Sequence, residues 1–437
     1  MQAGYQKVLI LMIVVVTLLS SMWSAKAERA LSEPFQPYVR TDKLMASDRA
    51  SGDEFGTAVV LSSDDQIMVV GAPLAAVDGK AHQGKVYIYR WTGEVWEEVQ
   101  KITAENGNAE DRFGEAIDIA DDYTIIVGAT DVDLNGDDNI GAAYIFSYNG
   151  ATWSQQVRLP ISDEHELSHD NRGKSVAISS DGNLAFVGAP NVSISGRTRG
   201  TFYILSRSGS SWSQDQKIIG PTDGRALTGQ AMFLSHDDNT LFVAGRYSPT
   251  GSSITRGIVH PYGFVGEDWT HQDEIIPSDS QEFDNFGIDI TTSDDDKTLL
   301  VGAFGAEQAF VFTESSGVWN EQAILRSPTS ISFGHFGHSV ALNATGTEAA
   351  VGAWLNGSGG IHMFDGSGAV WQHAQVLRSP NRAQEHLGFA VAMTRNGEMV
   401  MGGARSAHPN LVDFDPMGAV YVYIPGYFNH LPTIKSN

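Results

Sequence analysis

One unit, written seven times, constrains this chain more than any other feature of it. A glycine after a bulky or β-branched residue opens each copy: Phe55-Gly56, Phe113-Gly114, Arg172-Gly173, Thr228-Gly229, Phe286-Gly287, Phe336-Gly337 and Leu387-Gly388. The glycines are 58, 59, 56, 58, 50 and 51 residues apart. A second anchor follows 14 or 15 residues later, as in Val70-Gly71-Ala72-Pro73, Val127-Gly128-Ala129, Val187-Gly188-Ala189-Pro190, Val301-Gly302-Ala303 and Val351-Gly352-Ala353. An aromatic run such as Val86-Tyr87-Ile88-Tyr89 comes third, and a tryptophan comes fourth: Trp96, Trp153, Trp212, Trp269, Trp319 or Trp371. Six residues after each tryptophan stands an aliphatic residue, from Ile102 to Leu377. Self-similarity at a fixed period is the mark of a repeat architecture.

Each copy thus holds four short runs rich in Val, Ile, Tyr, Phe and Trp, punctuated by Gly, Asp, Asn and Ser. Such runs read as strands, and beyond residue 27 no window keeps a helical period. Four antiparallel strands repeated radially make an all-β fold, a seven-bladed β-propeller. The ring must close, because open edges invite aggregation. The seventh copy stops at Ile424 without a fourth strand, while Tyr38 and Leu44 repeat the six-residue Trp-to-aliphatic spacing. Tyr38–Ala46 is therefore expected as the outer strand of blade seven, in one domain over residues 28–424 with a tail at 425–437.

Lys7, the apolar run Val8–Leu19 and Ala25-Lys26-Ala27 read as a signal peptide over residues 1–27. An uncleaved anchor is the alternative. The expected location is secreted, extracellular or at the cell surface, and periplasmic or envelope in a bacterium. With 28 Lys+Arg against 52 Asp+Glu, the net charge of −24 argues against nucleic acid, which needs a basic face. The absence of Cys removes disulfide scaffolds, thiol nucleophiles and zinc ribbons.

The Phe-Gly opening and the Gly-Ala-Pro second anchor resemble FG-GAP repeats, which build the seven-bladed head of integrin α chains. The resemblance spans residues 38–424, with the full Gly-Ala-Pro at Gly71–Pro73 and Gly188–Pro190. It implies a binding or adhesion module. Integrin repeats bind calcium in long acidic hairpins between the first two strands. The corresponding hairpins here, such as Ser62-Ser63-Asp64-Asp65, are too short for that cage.

Alternating strand direction puts the tight first-to-second and third-to-fourth turns on one face. The longer second-to-third and blade-to-blade loops share the other, where binding is expected. Two features there are candidates. Asp131, Asp133, Asn135, Asp137 and Asn139 alternate around Gly136, a pattern of oxygen ligands that suits Ca²⁺. Arg172, Lys174, Arg197, Arg199, Arg225, Arg246 and Arg256 cluster in blades three and four, and an arginine-rich groove suits an anionic glycan. Asp289 sits where other copies carry a small residue, and His335 and His338 flank Phe336-Gly337. No catalytic constellation and no organic cofactor motif are present. The expected function is a non-enzymatic binding module for an extracellular protein or glycan. The alternatives are a propeller-fold polysaccharide lyase or hydrolase, which would group Asp289, Glu115 and His338 near the axis, and a structural coat component. Asn191, Asn343 and Asn356 begin N-x-[ST] sequons at about the frequency expected by chance. Oligomeric state is not legible.

Overall fold

The computed structural model describes residues 37–426, except 135, 163–168, 222–224, 227–228, 248–255, 267, 280, 329–333, 356, 381–383 and 409–415. The expected signal segment lies outside the described residues. Within them the chain is all β, apart from a single 3₁₀ turn at Phe304–Ala306. Seven antiparallel blade sheets follow one another around a ring, six with the strand order of a meander and the seventh completed by the N-terminal strand. Blade one, for example, comprises Val59–Leu61, Ile67–Ala72, Lys85–Trp91 and Trp96–Ile102. Blade four adds a short extra strand, Arg225–Ala226. The outer strand of blade seven is Tyr38–Leu44, paired with Ala419–Pro425 in a register running from Tyr38 opposite Pro425 to Leu44 opposite Val420. Tyr38 also exchanges backbone bonds with the Gln375 amide of blade six, at 2.7 and 2.9 Å. The N-terminal strand therefore ties two blades to the start of the chain.

Alternation within each strand sorts side chains to the two neighbouring blades. Met68, Val70, Tyr87 and Tyr89 pack toward blade seven, against Val420 and Val422. Ile67, Val69, Val86 and Ile88 pack toward blade two, against Phe113, Val127 and Tyr144. Buried on both faces, Ile67–Ala72 reads as a continuous apolar run.

The two glycine anchors meet across the seams. A Cβ on Gly71 would overlap the carbonyl oxygen of Gly114 in the next blade. The same overlap links Gly128 to Gly173, Gly188 to Gly229, Gly302 to Gly337, Gly352 to Gly388, and Gly403 to Gly56, which closes the ring. Only a residue without a side chain lets two backbones approach so closely. At the remaining seam Ala244 faces Gly287.

On the tight-turn face the seven first-to-second turns form a closed hydrogen-bonded circle. Ser63 Oγ donates to Asp121, Asp121 N to Ser180 O, Ser180 N to Asp238 and His236 N to Asp296. Asp294 N then donates to Ala344 O, Ala344 N to Arg395 O, and Arg395 N to Asp65, back in blade one. Each turn has one residue in the left-handed region: Asp65, Tyr123, Gly182, Asp238, Asp296, Gly346 or Gly397. Asp and Gly fill six of these positions because they tolerate that conformation well.

The seam predicts a contrast. Gly128→Ala should cost at least about 4 kcal/mol or abolish folding, since its Cβ meets backbone. Gly93→Ala, at φ +91° with nothing within 4 Å, should cost only about 1–2 kcal/mol. Chemical denaturation of both variants checks this, and equal losses would count against the seam.

Candidate functional site

A channel of about 770 Å³ runs along the axis, walled by the first strands of all seven blades. The turn circle lines one end with Asp65, Asp121, Ser180, Asp238, Asp294, Ala344 and Arg395. The other end, on the long-loop face, is lined by the residue after each repeat glycine: Thr57, Glu115, Lys174, Gln230, Ile288, His338 and Phe389. Just outside these stand the residues that precede the opening dipeptide. Glu54, Arg112, Asn171, Asn285, His335 and His386 all have φ between 52° and 61°. The repeat therefore fixes two positions per blade around the mouth, one on either side of the conserved dipeptide, and leaves their identity free.

That identity divides the mouth into two sectors. Across blades one to four it is polar and ionic. Arg112 pairs with Asp131 at 3.1 Å, Lys174 with Glu115 at 2.9 Å, and Asn171 donates to Asp131 at 3.3 Å. These residues, with Thr130, Pro190, Asn191 and Gln230, line a side pocket of about 210 Å³ that adjoins the channel mouth. Across blades six and seven the mouth is aromatic. Trp354 has His335 and His386 edge-on at 5.0 and 4.9 Å, and Phe389 at 5.5 Å. Arg405 stacks over Phe389 and Trp354, with its guanidinium 4.0 and 5.1 Å from the ring centres, and reaches Glu54 at 3.7 Å. Burial pushes His338 down to about 4 and also lowers His335 and His386, so all three are neutral near pH 7. The Trp354 indole N–H is buried without a protein acceptor.

Of the residues expected in a basic groove, the four with described side chains, Arg172, Lys174, Arg199 and Arg256, take up separate environments. Arg172 is 1% exposed and lies over Tyr203, with 5.4 Å from guanidinium to ring centre. It occupies the slot that Phe55 fills against Tyr87 at 5.2 Å and Phe113 against Tyr144 at 5.6 Å. A cation–π contact replaces the aromatic pair, so Arg172 is a packing residue near Asp170. Lys174 is at the mouth. Arg199 donates through Nε to Gly220 O at 2.7 Å. Arg256 lines a small cavity with Phe286 and Gly257. The side chains of Arg197, Arg225 and Arg246 lie outside the description.

The expected calcium loop folds as a small hairpin closed by paired bonds between Leu134 and Asp137. Asp131 turns to Arg112, and Asp133 accepts from Asn139 N at 2.9 Å. Asn135 lies outside the described residues. Among the described residues the carboxylates of Asp131, Asp133 and Asp137 do not gather around one point, and an ion bound at Asp131 would have to displace the Arg112 guanidinium. Glu115, Asp289 and His338 do line the one channel. Each is committed to its own wall: Glu115 to Lys174, Asp289 to the N–H groups of Ile290 and Val340, and His338 to the Phe389 carbonyl. Burial pushes Asp289 up to about 6.

Fold and mouth together define a closed seven-bladed β-propeller whose blades place different side chains around the axis on the long-loop face. Three of its stretches, residues 38–89, 96–146 and 269–316, match the FG-GAP repeat family model, and the architecture is consistent with the N-terminal propeller of integrin α chains. No curated protein matches the chain. Among solved structures, the chain is similar to a functionally unknown protein from Desulfotomaculum acetoxidans at 15% identity and TM-score 0.51, over 77% of this chain and 92% of that one. It is also similar to the Cps50 (Swd1) propeller domain of Myceliophteria thermophila, at 9% identity and TM-score 0.57 over 89% and 99%. A third is the periplasmic gluconolactonase of Pseudomonas aeruginosa, at 12% identity and TM-score 0.50 over 74% and 84%. At these identities the likeness is one of fold.

The packing role of Arg172 is testable. Arg172→Phe restores the side chain used in other blades and should leave the melting temperature within a few degrees of the parent. Arg172→Ala opens a cavity beneath Tyr203 and should cost about 3 kcal/mol or more. A Phe variant as unstable as the Ala variant would show that the charge itself is required.

Proposed function

We propose that this protein is an exported binding module that takes a glycan across the long-loop mouth of its channel. The observation that carries this reading is the two-sector mouth. An aromatic, neutral-histidine cluster around Trp354 meets the channel through His338 and Phe389, and carboxylate, amide and cationic groups meet it through Glu115, Gln230 and Lys174. Sugars present apolar C–H faces and rims of hydroxyl groups, and sites that hold them combine aromatic surface with a few placed polar groups. Lys174, Arg112 and Arg405 offer cationic donors for which an anionic sugar would compete with their present partners Glu115, Asp131 and Glu54. Among the described residues no helix is long and apolar enough to cross a membrane. The sequence of residues 1–27 supports export. Calcium in the blade-two loop remains part of the proposal only if Asp131 exchanges Arg112 for the ion.

A second reading rests on Asp289 and His338 lining one channel, with burial raising the first to about 6. In that reading the ligand is cleaved, by a lyase or hydrolase reaction. The test covers both. Sulfated and uronic-acid glycans are screened on an array with the full chain at low ionic strength, in chelator and in millimolar Ca²⁺. Expected is saturable binding that falls at least tenfold in Trp354→Ala, about 1.4 kcal/mol, and falls again with added salt. No binding by the parent, or equal binding by the variant, would overturn the mouth as the site. Release of new reducing or unsaturated ends, lost in Asp289→Asn, would replace binding with catalysis.

A further inference from the structure

Away from the mouth, the outer half of blade four carries a second site. The third strand of each blade places one residue against the cross-strand residue of the fourth. Tyr87 faces Lys101, Tyr144 faces Arg158, Tyr203 faces Lys217 and Tyr421 faces Lys43. Phe310 faces Ile324, and His362 faces Val376. Four of seven blades thus set a tyrosine against a cation. Blade four inverts the pair. Its aromatic position is His260, and the bridge between Val259 and Ile275 puts Glu274 opposite. A third position changes with these two. Two residues after the repeat tryptophan stands Glu98, Gln155, Gln214 or Glu321, each accepting the N–H of a residue that leads into its blade: Ser47, Glu105, Ser162 or Ser278. Before blade four the equivalent residue is Pro221, which has no N–H to give. The acceptor is then released from that duty, and the position holds His271.

We propose that His260, His271 and Glu274 form a binding site for a borderline divalent transition metal, Zn²⁺ or a close relative. Their ligand atoms all lie within 4.8 Å of one another, in the one such group of His, Asp or Glu among the described residues. His260 Nδ1 is 3.0 Å from His271 Nε2 and 3.6 Å from a Glu274 carboxylate oxygen. Ligands at 2.0–2.1 Å from a tetrahedral ion stand about 3.3–3.4 Å apart, so His260 is within a few tenths of an ångström of that spacing from both partners, and His271 and Glu274, within 4.8 Å of each other, close on the ion from the solvent side. Two imidazoles and one carboxylate suit Zn²⁺, Cu²⁺ or Ni²⁺ and not the all-oxygen preference of Ca²⁺ or Mg²⁺. His260 is 1% exposed and fixed by packing, whereas His271 is exposed and Glu274 partly so. Three protein ligands with a solvent side leave the fourth position for water. Blade six supplies an internal comparison: His362 and His373 approach to 3.1 Å in the same repeat positions, after Pro328, but Val376 stands where Glu274 would.

The experiment titrates Co²⁺, and then Zn²⁺ in competition, into the full chain carrying no polyhistidine tag, reading visible absorption. The expected result is one saturable equivalent with the intense bands of a four-coordinate ion, displaced by Zn²⁺. Affinity should drop at least tenfold in His271→Ala and in Glu274→Gln, both on the solvent side. The double variant His260→Tyr, Glu274→Lys restores the pair used in other blades. It should bind no ion at this site while melting as cooperatively as the parent, which separates loss of metal from loss of fold. No saturable Co²⁺ binding by the parent would overturn the proposal. So would binding undiminished in the single variants, which would place the ion elsewhere, for example at His362 and His373.

Discussion

The approach of glycine backbone to glycine backbone across the blade seams is the constraint on which the rest of the ring depends. In six of seven seams the second-anchor glycine leaves no room for a methyl group against the carbonyl of the next blade's opening glycine. That closeness puts the inner strands near the axis and lets the second strands bury side chains on both faces. It also explains the opening dipeptide. The bulky residue before the glycine fills the space under the third-strand aromatic, as Phe55 does with Tyr87 and Phe336 does with His362.

From this frame the two ends of the channel acquire different characters. One is pinned by a circle of turn-to-turn hydrogen bonds, whose residue types follow from backbone conformation and capping. Little freedom remains there. The other end is built from positions flanking the dipeptide, where neither the seam nor a strand ladder dictates the side chain. Variation collects there because the scaffold tolerates it, and the same tolerance gives a binding face its chemistry.

The sequence made the scaffold legible because its restraints are local and repeated: glycine anchors at fixed spacing, a tryptophan, an aliphatic residue, and a Tyr38-to-Leu44 segment with the same spacing. The strand pairing of Tyr38–Leu44 with Ala419–Pro425 was readable for that reason. The site was less legible. Arg172 read as a surface cation because its charge drew attention, although its register with Phe55 and Phe113 already placed it in a core slot. Asp131 read as a metal ligand because its partner Arg112 lies 19 residues away, in a different loop. His335 and His338 flank Phe336-Gly337 in sequence, yet Trp354 reaches them from the end of the same blade's second strand, and His386, Phe389 and Arg405 join from blade seven. Aligning the residues on either side of each Phe-Gly would have found most of the mouth.

Ring closure by the N-terminal strand can be measured directly. Two chains would be compared by thermal unfolding, one starting at Glu28 and one at Ser47, which lacks the strand paired with Ala419–Pro425 and bonded to Gln375. The closed ring predicts that the shorter chain melts several degrees lower, or accumulates insoluble, with rapid amide exchange across Val420–Ile424. Two chains that melt together, with those amides equally protected, would contradict closure by the N-terminal strand.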